Sequence, residues 1–335
     1  MTFDRRSVGP TAATGFCRGR SARPFYPVRG RGRTEDIRYS SVTMMTVRPG
    51  TVGTVYETSE QMAGPITRAA QYLRGSGDRF ALARVGALIG AAGTQIKGLT
   101  DLDATIAAET AAAQERPAPP KPQNQDGGWA APWSAGASSL DATCFLLDQL
   151  SDFGVPVHTV AGVDFGAALG FLTAAQLPDG SWSEGLGDLT PRWLMPGSAE
   201  AKVYLTANCA RTLLVYGSGK EQVEQAAELL EYQLSPHGRL PGPAASQWLA
   251  ARVFRATGRD LAARRILDVV GHFYEGYDAM ELAWFGSDTP PGDRWTQRVA
   301  AHLVTLQQPD GSWIGEADGP SPALTATAVR VLLRA

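Results

Sequence analysis

A loop signature that occurs three times sets the strongest limit on what this chain can become. It reads Gln123-Asn-Gln-Asp-Gly-Gly-Trp129, then Gln176-Leu-Pro-Asp-Gly-Ser-Trp182, then Gln307-Gln-Pro-Asp-Gly-Ser-Trp313. A faded fourth copy runs Gln233-Leu-Ser-Pro-His-Gly-Arg239, with Leu240 in the tryptophan's place. Each copy combines a helix end, a reversing turn and an apolar anchor. In the second, Phe171 and Leu172 close an amphipathic segment, Pro-Asp-Gly turns the chain, and Trp182 folds back. A short pattern then opens the next helix, as Leu140-Asp-Ala-Thr143, Leu205-Thr-Ala-Asn208 and Leu324-Thr-Ala-Thr327, with an upstream relative at Leu102-Asp-Ala-Thr105. The unit is a helical hairpin. One hairpin cannot bury its own apolar faces, so successive hairpins must stack, and roughly 275 residues allow about five or six of them. A closed ring of hairpins leaves no exposed end.

The rest of the sequence agrees with a helical repeat. Residues 60–75, 79–93, 101–115, 139–152, 164–176, 199–216, 219–233, 244–257, 259–273 and 293–307 carry apolar side chains at three- and four-residue spacing. No stretch alternates as a strand, so the expected class is all-α. Of 335 residues 44% are hydrophobic and the net charge is -2, which suits a large core and offers no electrostatic footprint for nucleic acid. No apolar run reaches the length that spans a bilayer. The charge is nevertheless segregated: up to Arg48, ten arginines and no lysine face three acids, leaving that stretch at +7 and the remainder at -9. Residues 1–57 read as a disordered Arg-rich arm, and 58–335 as a single domain. The arm resembles a transit peptide in composition, but Met44 and Met45 offer later starts, and that second reading is preferred. Three scattered cysteines and no secretory apolar core point to a reducing, cytoplasmic setting.

The Gln-x-x-x-Gly-x-Trp copies resemble the QW motifs of the squalene-hopene cyclase, oxidosqualene cyclase and class II terpene cyclase group, and the resemblance covers about residues 60–335. It implies an α/α-toroid, a fold shared with prenyltransferase β subunits, and a protonation-initiated cyclisation of a linear isoprenoid, an isomerase or lyase activity. Members of the group carry Asp-x-Asp-Asp-Thr-Ala shortly after Gly-Gly-Trp. Here Gly127-Gly-Trp129 is followed by Ser139-Leu-Asp-Ala-Thr-Cys144, so Asp141 falls on the proton donor while Ser139 and Ala142 replace the flanking acids. An aspartate of ordinary pKa, about 3.9, is protonated only about once in a thousand at neutral pH. Burial in an apolar cavity would raise that value, and a hydrogen bond from Ser139 or Thr143 would orient the proton. Asp103, in Asp101-Leu-Asp-Ala-Thr105, is the second candidate acid. Against catalysis stands helix capping: Ser138-Ser-Leu-Asp141 and Thr100-x-x-Asp103 both match a capping box. Aligning the short pattern puts Thr206 and Thr325 at the position of Asp141, so an aspartate exceeds what the repeat requires there.

A carbocation needs a dry cavity with aromatic faces. Candidates outside the repeat tryptophans are Trp133, Phe145, Tyr204, Trp248, Phe273, Tyr277, Trp284 and Phe285, with Trp133 and Phe145 ranked first because they flank Asp141. The acidic stretch Tyr277-Asp-Ala-Met-Glu281 reads as a solvated helix face before a terminating base or metal site. No metal site is expected. The class I Asp-Asp-x-x-Asp motif is missing, and the cysteines lack the zinc-binding context of prenyltransferase β subunits. The histidines at 158, 237, 272 and 302 are dispersed, and His302 falls where Phe171 sits in the repeat. No cofactor is required. If the substrate keeps a diphosphate, Arg192, Arg252 or Arg294 with a magnesium ion would hold it. An oily substrate implies peripheral membrane contact, and room for one toroid implies a substrate shorter than squalene or a site completed by another subunit. The competing readings are a non-catalytic toroid acting as a binding or partner protein, and a prenyltransferase β-like protein. A closed apolar cavity beside Asp141 would separate them from a cyclase.

Overall fold

The computed structural model of the chain describes residues 55–92, 119–154, 160–315 and 318–335. The arm, apart from its last residues, lies outside them, as do the segment 101–115 and with it Asp103. The described residues form eleven α-helices: α1 Val55–Ser76, α2 Arg79–Ala92, α3 Leu140–Leu150, α4 Phe165–Ala174, α5 Ala199–Val215, α6 Lys220–Gln233, α7 Ala244–Ala256, α8 Asp260–Gly271, α9 Ala279–Asp288, α10 Arg294–Leu306 and α11 Pro322–Leu332. Two two-residue strands, β1 Trp129–Ala130 and β2 Ser138–Ser139, pair antiparallel just before α3. Short polar side chains start most helices. Ser139, Asp164, Ser198, Asp293 and Ser321 each accept a first-turn N–H, and Asp278 and Glu281 form a reciprocal capping box on α9.

From α3 onward the helices alternate between an inner and an outer ring. Each of α3, α5, α7, α9 and α11 packs against the next, α11 packs on α2, and α2 meets the 3-10 turn Ser151–Phe153 at the end of α3. That closes an inner ring of six helices. Outside it, α1 packs on α11 and α2, α4 on α5, α6 on α5 and α7, α8 on α7, and α10 on α9 and α11. Periodicity missed α9 because Ala279, Met280, Leu282, Ala283, Phe285, Gly286 and Ser287 are all buried, which leaves only the narrow stripe of Glu281, Trp284 and Asp288 half-exposed. The acidic stretch starts this inner helix: Asp278 is exposed and Glu281 half-buried, and the two form its capping box.

The repeated loop is the joint between neighbouring hairpins. In each copy the glutamine amide donates to the glycine carbonyl of its own turn and to the backbone of the next outer helix: Gln123 Nε2 to Gly127 and Asp164, Gln176 Nε2 to Gly180 and Gln222, and Gln307 Nε2 to Gly311 and Pro65. The last bond joins the C-terminal repeat to α1 and shuts the ring. The indole N–H groups of Trp182 and Trp313 cap the Leu172 and Leu303 carbonyls at 2.7 and 2.8 Å. This register places His302 opposite Phe171, and His302 packs edge-on against Tyr274. The faded copy keeps the joint: Gly238, at φ 75°, abuts the Arg265 backbone, and Gln247 holds both the N–H and the carbonyl of Leu240.

Close backbone approach explains the invariant turn glycine. Gly311 sits at φ 91°, and a Cβ there would overlap the Arg68 carbonyl oxygen of α1. Gly311→Ala is expected to cost at least ~2 kcal/mol in urea unfolding, because neither backbone can give way. Gly162→Ala, with a similar φ of 75° but open space around it, should cost less.

The repeats also correct the alignment made from sequence. The backbone N–H groups of Trp129, Trp182 and Trp313 donate to Thr143, Thr206 and Thr325 Oγ1. Thr206 and Thr325 therefore correspond to Thr143, and the position equivalent to Asp141 is two residues earlier, at Tyr204 and Ala323. The Leu-x-Ala pattern misled because small and apolar residues recur on every side of a buried helix.

Candidate active site

Between α3, α5, α7 and α9 lies a cavity of about 270 Å³ whose surface is mostly apolar. First-turn residues Asp141 and Ala245 border it at one end, and Asp148, Arg211 and Asp288 form its floor. Trp133, Phe145, Tyr204, Trp248 and Trp284, five of the aromatics singled out from sequence, line it together with Trp193, which was not. The walls interlock edge-on, Trp193 with Tyr204 at 5.9 Å and Phe145 with Trp284 at 6.4 Å between ring centroids. Three candidates fall elsewhere. Phe285 is fully buried behind the wall against Trp248, Tyr277 supports Trp248 from the side at 5.9 Å, and Phe273 is 56% exposed on the outer surface.

Asp141 occupies the first turn of α3, is half-buried, and lines the cavity, which opens to the surface. Its Oδ1 accepts the Tyr204 hydroxyl at 2.7 Å, with Asn208 Nδ2 at 3.5 Å. Burial raises its pKa to about 7, outweighing the Tyr204 hydrogen bond, and the nearby Glu184 carboxylate adds to the rise. Ser139 and Thr143 do not touch it. Ser139 donates to Glu184 at 2.7 Å, and Thr143 donates to the Ser139 carbonyl while holding the Trp129 N–H.

The capping explanation of Asp141 fails on geometry. The N-cap is Ser139, whose hydroxyl accepts the Ala142 N–H, and the free N–H groups of Leu140 and Asp141 donate to Glu184 at 3.3 and 3.0 Å. Glu184 is buried, reaches in from the loop after Trp182, and accepts three hydrogen bonds; burial raises its pKa against the lowering effect of those bonds. A helix N-terminus carries partial positive charge that would favour an ionised Asp141. Glu184 cancels that charge. Sequence reasoning missed both Glu184 and Asn208. The available signals were the acid two residues after Trp182, where the other copies have Ala131 and Gly315, and the i, i+4 spacing of Tyr204 and Asn208.

The remaining candidates are placed plainly by the fold. Arg294 pairs with Asp268 on the surface and lies over the Trp295 ring at 5.0 Å. Arg252 binds Asp288 beyond the cavity floor, and Arg192 is exposed in the 3-10 turn Arg192–Leu194 beside Trp193. The cations lining the cavity are Lys121 at its rim and Arg211 in its floor, the latter bound to Asp148 and Asp288. Cys144 and Cys209 are buried thiols 3.7 Å apart. Among the described residues no group of three His, Cys, Asp or Glu side chains is placed to hold a metal, and no helix is long and apolar enough to cross a membrane.

No family model matches the chain. The drimenyl diphosphate synthase of Streptomyces showdoensis is 26% identical over 213 residues, which is 63% of this chain and 34% of that protein, so the chain spans about a third of its curated relative. Similar solved structures include the type II terpene cyclase MstE from Scytonema without ligand, at 15% identity and a TM-score of 0.49 over 82% of this chain and 98% of that one. An MstE variant bound to the substrate geranylgeranyl dihydroxybenzoate gives 16% identity and a TM-score of 0.47 over 84% and 99%. Over 63% of its length, then, the chain is similar in sequence to a drimenyl diphosphate synthase.

Proposed function

We propose that the protein is a protonation-initiated terpene cyclase acting on a linear isoprenoid, with Asp141 as the general acid. The observation that carries this is a carboxyl group facing an aromatic-lined apolar cavity, its pKa raised to about 7 by burial. Both hydrogen bonds from Tyr204 and Asn208 go to Oδ1, so in the neutral acid Oδ1 is the carbonyl oxygen and the proton sits on Oδ2. Transfer of that proton to a terminal carbon-carbon double bond leaves an Asp141 carboxylate and a tertiary carbocation. Further double bonds attack the cation in turn and close rings. Loss of a proton from a neighbouring carbon to water at the open side of the cavity quenches the cation as a ring alkene, and a proton from solvent restores Asp141 to its acid form. Tyr204 and Asn208 stabilise the carboxylate as it forms, while Trp133, Trp193, Trp248 and Trp284 exclude water and offer π faces worth about 0.5–2 kcal/mol each to a cation.

A prenyl diphosphate is the substrate class favoured by the curated relative's name. Its headgroup would sit at the rim beside Lys121, which donates to the Ala130 carbonyl and, among the described residues, is the lining cation not bound to a carboxylate, and any magnesium would arrive with the diphosphate. Leu189 and Met195, 49% and 42% exposed on either side of Trp193, provide an apolar edge by which an oily substrate could leave a membrane. The cavity beside Asp141 is open at one side rather than closed, so it is the aromatic lining and the raised pKa of Asp141 that favour a cyclase over a non-catalytic toroid. Incubation with farnesyl and geranylgeranyl diphosphates followed by mass spectrometry tests the proposal, and cyclic products formed by the wild type but not by Asp141→Asn are expected. Prenyl binding without any product would refute it.

The pH dependence follows from the raised pKa. Activity needs the acid form, so turnover should be full below about pH 6 and fall as pH rises through about 7. Glu184→Gln removes the like charge and uncovers the helix N-terminus, moving that alkaline limb down by roughly half to one pH unit. A kcat-pH profile superimposable on the wild type would rule out this role for Glu184.

A further inference from the structure

The ion pairs beneath the floor of the Asp141 chamber do not balance. They run as an alternating chain from Arg84 through Asp152, Arg330, Asp148, Arg211 and Asp288 to Arg252, so that an arginine stands at each end and four cations meet three carboxylates. Two further arginines gather at the Arg252 end. Arg334 donates to the Ser287 and Thr289 carbonyls, and the Arg255 guanidinium has no hydrogen bond or ion pair among the described residues. The side chains of this network therefore carry three more positive charges than negative ones. Burial lowers the pKa of Arg334 to about 10, with the Arg252 charge adding to the fall, and Arg252 is lowered by burial and then by Arg211.

Arg252, Arg255 and Arg334 line one cavity of about 240 Å³ at the C-terminal ends of α5, α7 and α9. Leu214 on α5, Leu267 on α8 and the Pro290-Pro291 turn supply apolar walls. The one acid lining it is Asp288, already shared between Arg211 and Arg252. Donors remain for a ligand. Arg252 uses only Nη1 on Asp288 and the Ser287 carbonyl, which leaves Nε and Nη2, and all of the Arg255 guanidinium is open to a partner. The Gly292 N–H donates to the Arg334 carbonyl at 2.9 Å and holds the proline turn against the end of α11, so the cavity is already built.

A single carboxylate would offset only part of this excess. A phosphate monoester carries about two negative charges near neutral pH, a diphosphate carries more, and both present the oxygens that a guanidinium grips in pairs. We infer that this cavity is a binding site for a phosphate monoester or diphosphate group, held by Arg252, Arg255 and Arg334. It lies on the far side of the chamber floor from Asp141 and does not include the rim residue Lys121, so it stands apart from the cyclase reading. A free diphosphate and the headgroup of an acidic lipid share the required chemistry.

Calorimetric titration of the full chain with inorganic diphosphate, and sedimentation with phosphatidylcholine vesicles with and without phosphatidic acid, tests the site and separates the two sources. Arg255→Ala removes a guanidinium that pairs with nothing in the fold, and Ala256→Glu adds a like charge to the ligand at the exposed edge of the cavity; each should weaken binding by about tenfold or more. Lys121→Ala should leave diphosphate affinity within about twofold of wild type. Diphosphate binding that falls in both cavity variants supports a soluble ligand, and retention on vesicles that requires phosphatidic acid and falls in both supports a lipid headgroup. The ten arginines up to Arg48 attract acidic vesicles by themselves, so only the share lost in the variants counts. No binding of either probe, binding that both cavity variants leave within about twofold of wild type, or diphosphate binding lost in Lys121→Ala instead would overturn the inference.

Discussion

Asp141→Asn is expected to lower turnover by at least ~10³-fold while leaving prenyl binding within a few-fold of wild type. The substitution keeps the shape of the side chain and an oxygen for Tyr204 and Asn208, and removes only the transferable proton. It should also change stability in a definite direction. The folded protein holds the Asp141 proton more tightly than the unfolded chain, so wild-type stability falls as pH rises from about 4, the ordinary aspartate range, to about 7. The asparagine variant does not carry that loss. At pH 8 it should exceed the wild type by on the order of 3 kcal/mol in urea unfolding, and the two should converge near pH 4. Equal turnover would remove Asp141 from the mechanism. A variant that is inactive but no more stable at pH 8 would mean the carboxylate is solvated.

The second large effect belongs to the base of the ring. Asp152 accepts Arg84 Nε at 2.8 Å and Arg330 Nε at 2.6 Å, Asp148 binds Arg330 and Arg211, and Asp288 binds Arg211 and Arg252. Arg334 extends the network to the Ser287 and Thr289 carbonyls at the end of α9. All six inner helices or the turns that end them thus contribute a partner, from α2 through α11. Its arginines hold Asp148 well below the usual carboxylate range, whereas burial lowers the pKa of Arg84 despite its partner Asp152. Asp152→Ala would leave the completely buried Arg84 without its counter-ion and should cost about 3–5 kcal/mol. Asp268→Ala, which breaks a pair with side chains 64% and 65% exposed, should cost less than about 1 kcal/mol. A similar cost for both variants would show that the network does not hold the ring.

What the sequence revealed and what it hid have physical reasons. The hairpin unit was legible because a glycine pressed against a neighbouring backbone and a tryptophan capping a helix end tolerate little substitution among repeats, as Gly311 and Trp313 illustrate. Helix α9 was hidden because seven of its ten residues are buried, which leaves too narrow a half-exposed stripe for a clear amphipathic spacing. Asp141 was visible from its position after Gly127-Gly-Trp129, but its environment was not. The carboxylate that caps its helix arrives from a loop 43 residues away, and the hydroxyl that orients it from a helix 63 residues away. The aromatic candidates separated by helical phase: Trp284 shares a face of α9 with Met280 and Asp288 and reaches the cavity beside Asp141, while its neighbour Phe285 turns into the core.

The ionisation of one carboxyl group decides the account most directly. Difference infrared spectra between the wild type and Asp141→Asn, recorded across a pH titration, isolate the carbonyl stretch of protonated Asp141. The structure predicts that this band persists through weakly acidic pH and disappears with a midpoint at about 7. A midpoint near 4, the value of an aspartate in water, would contradict it.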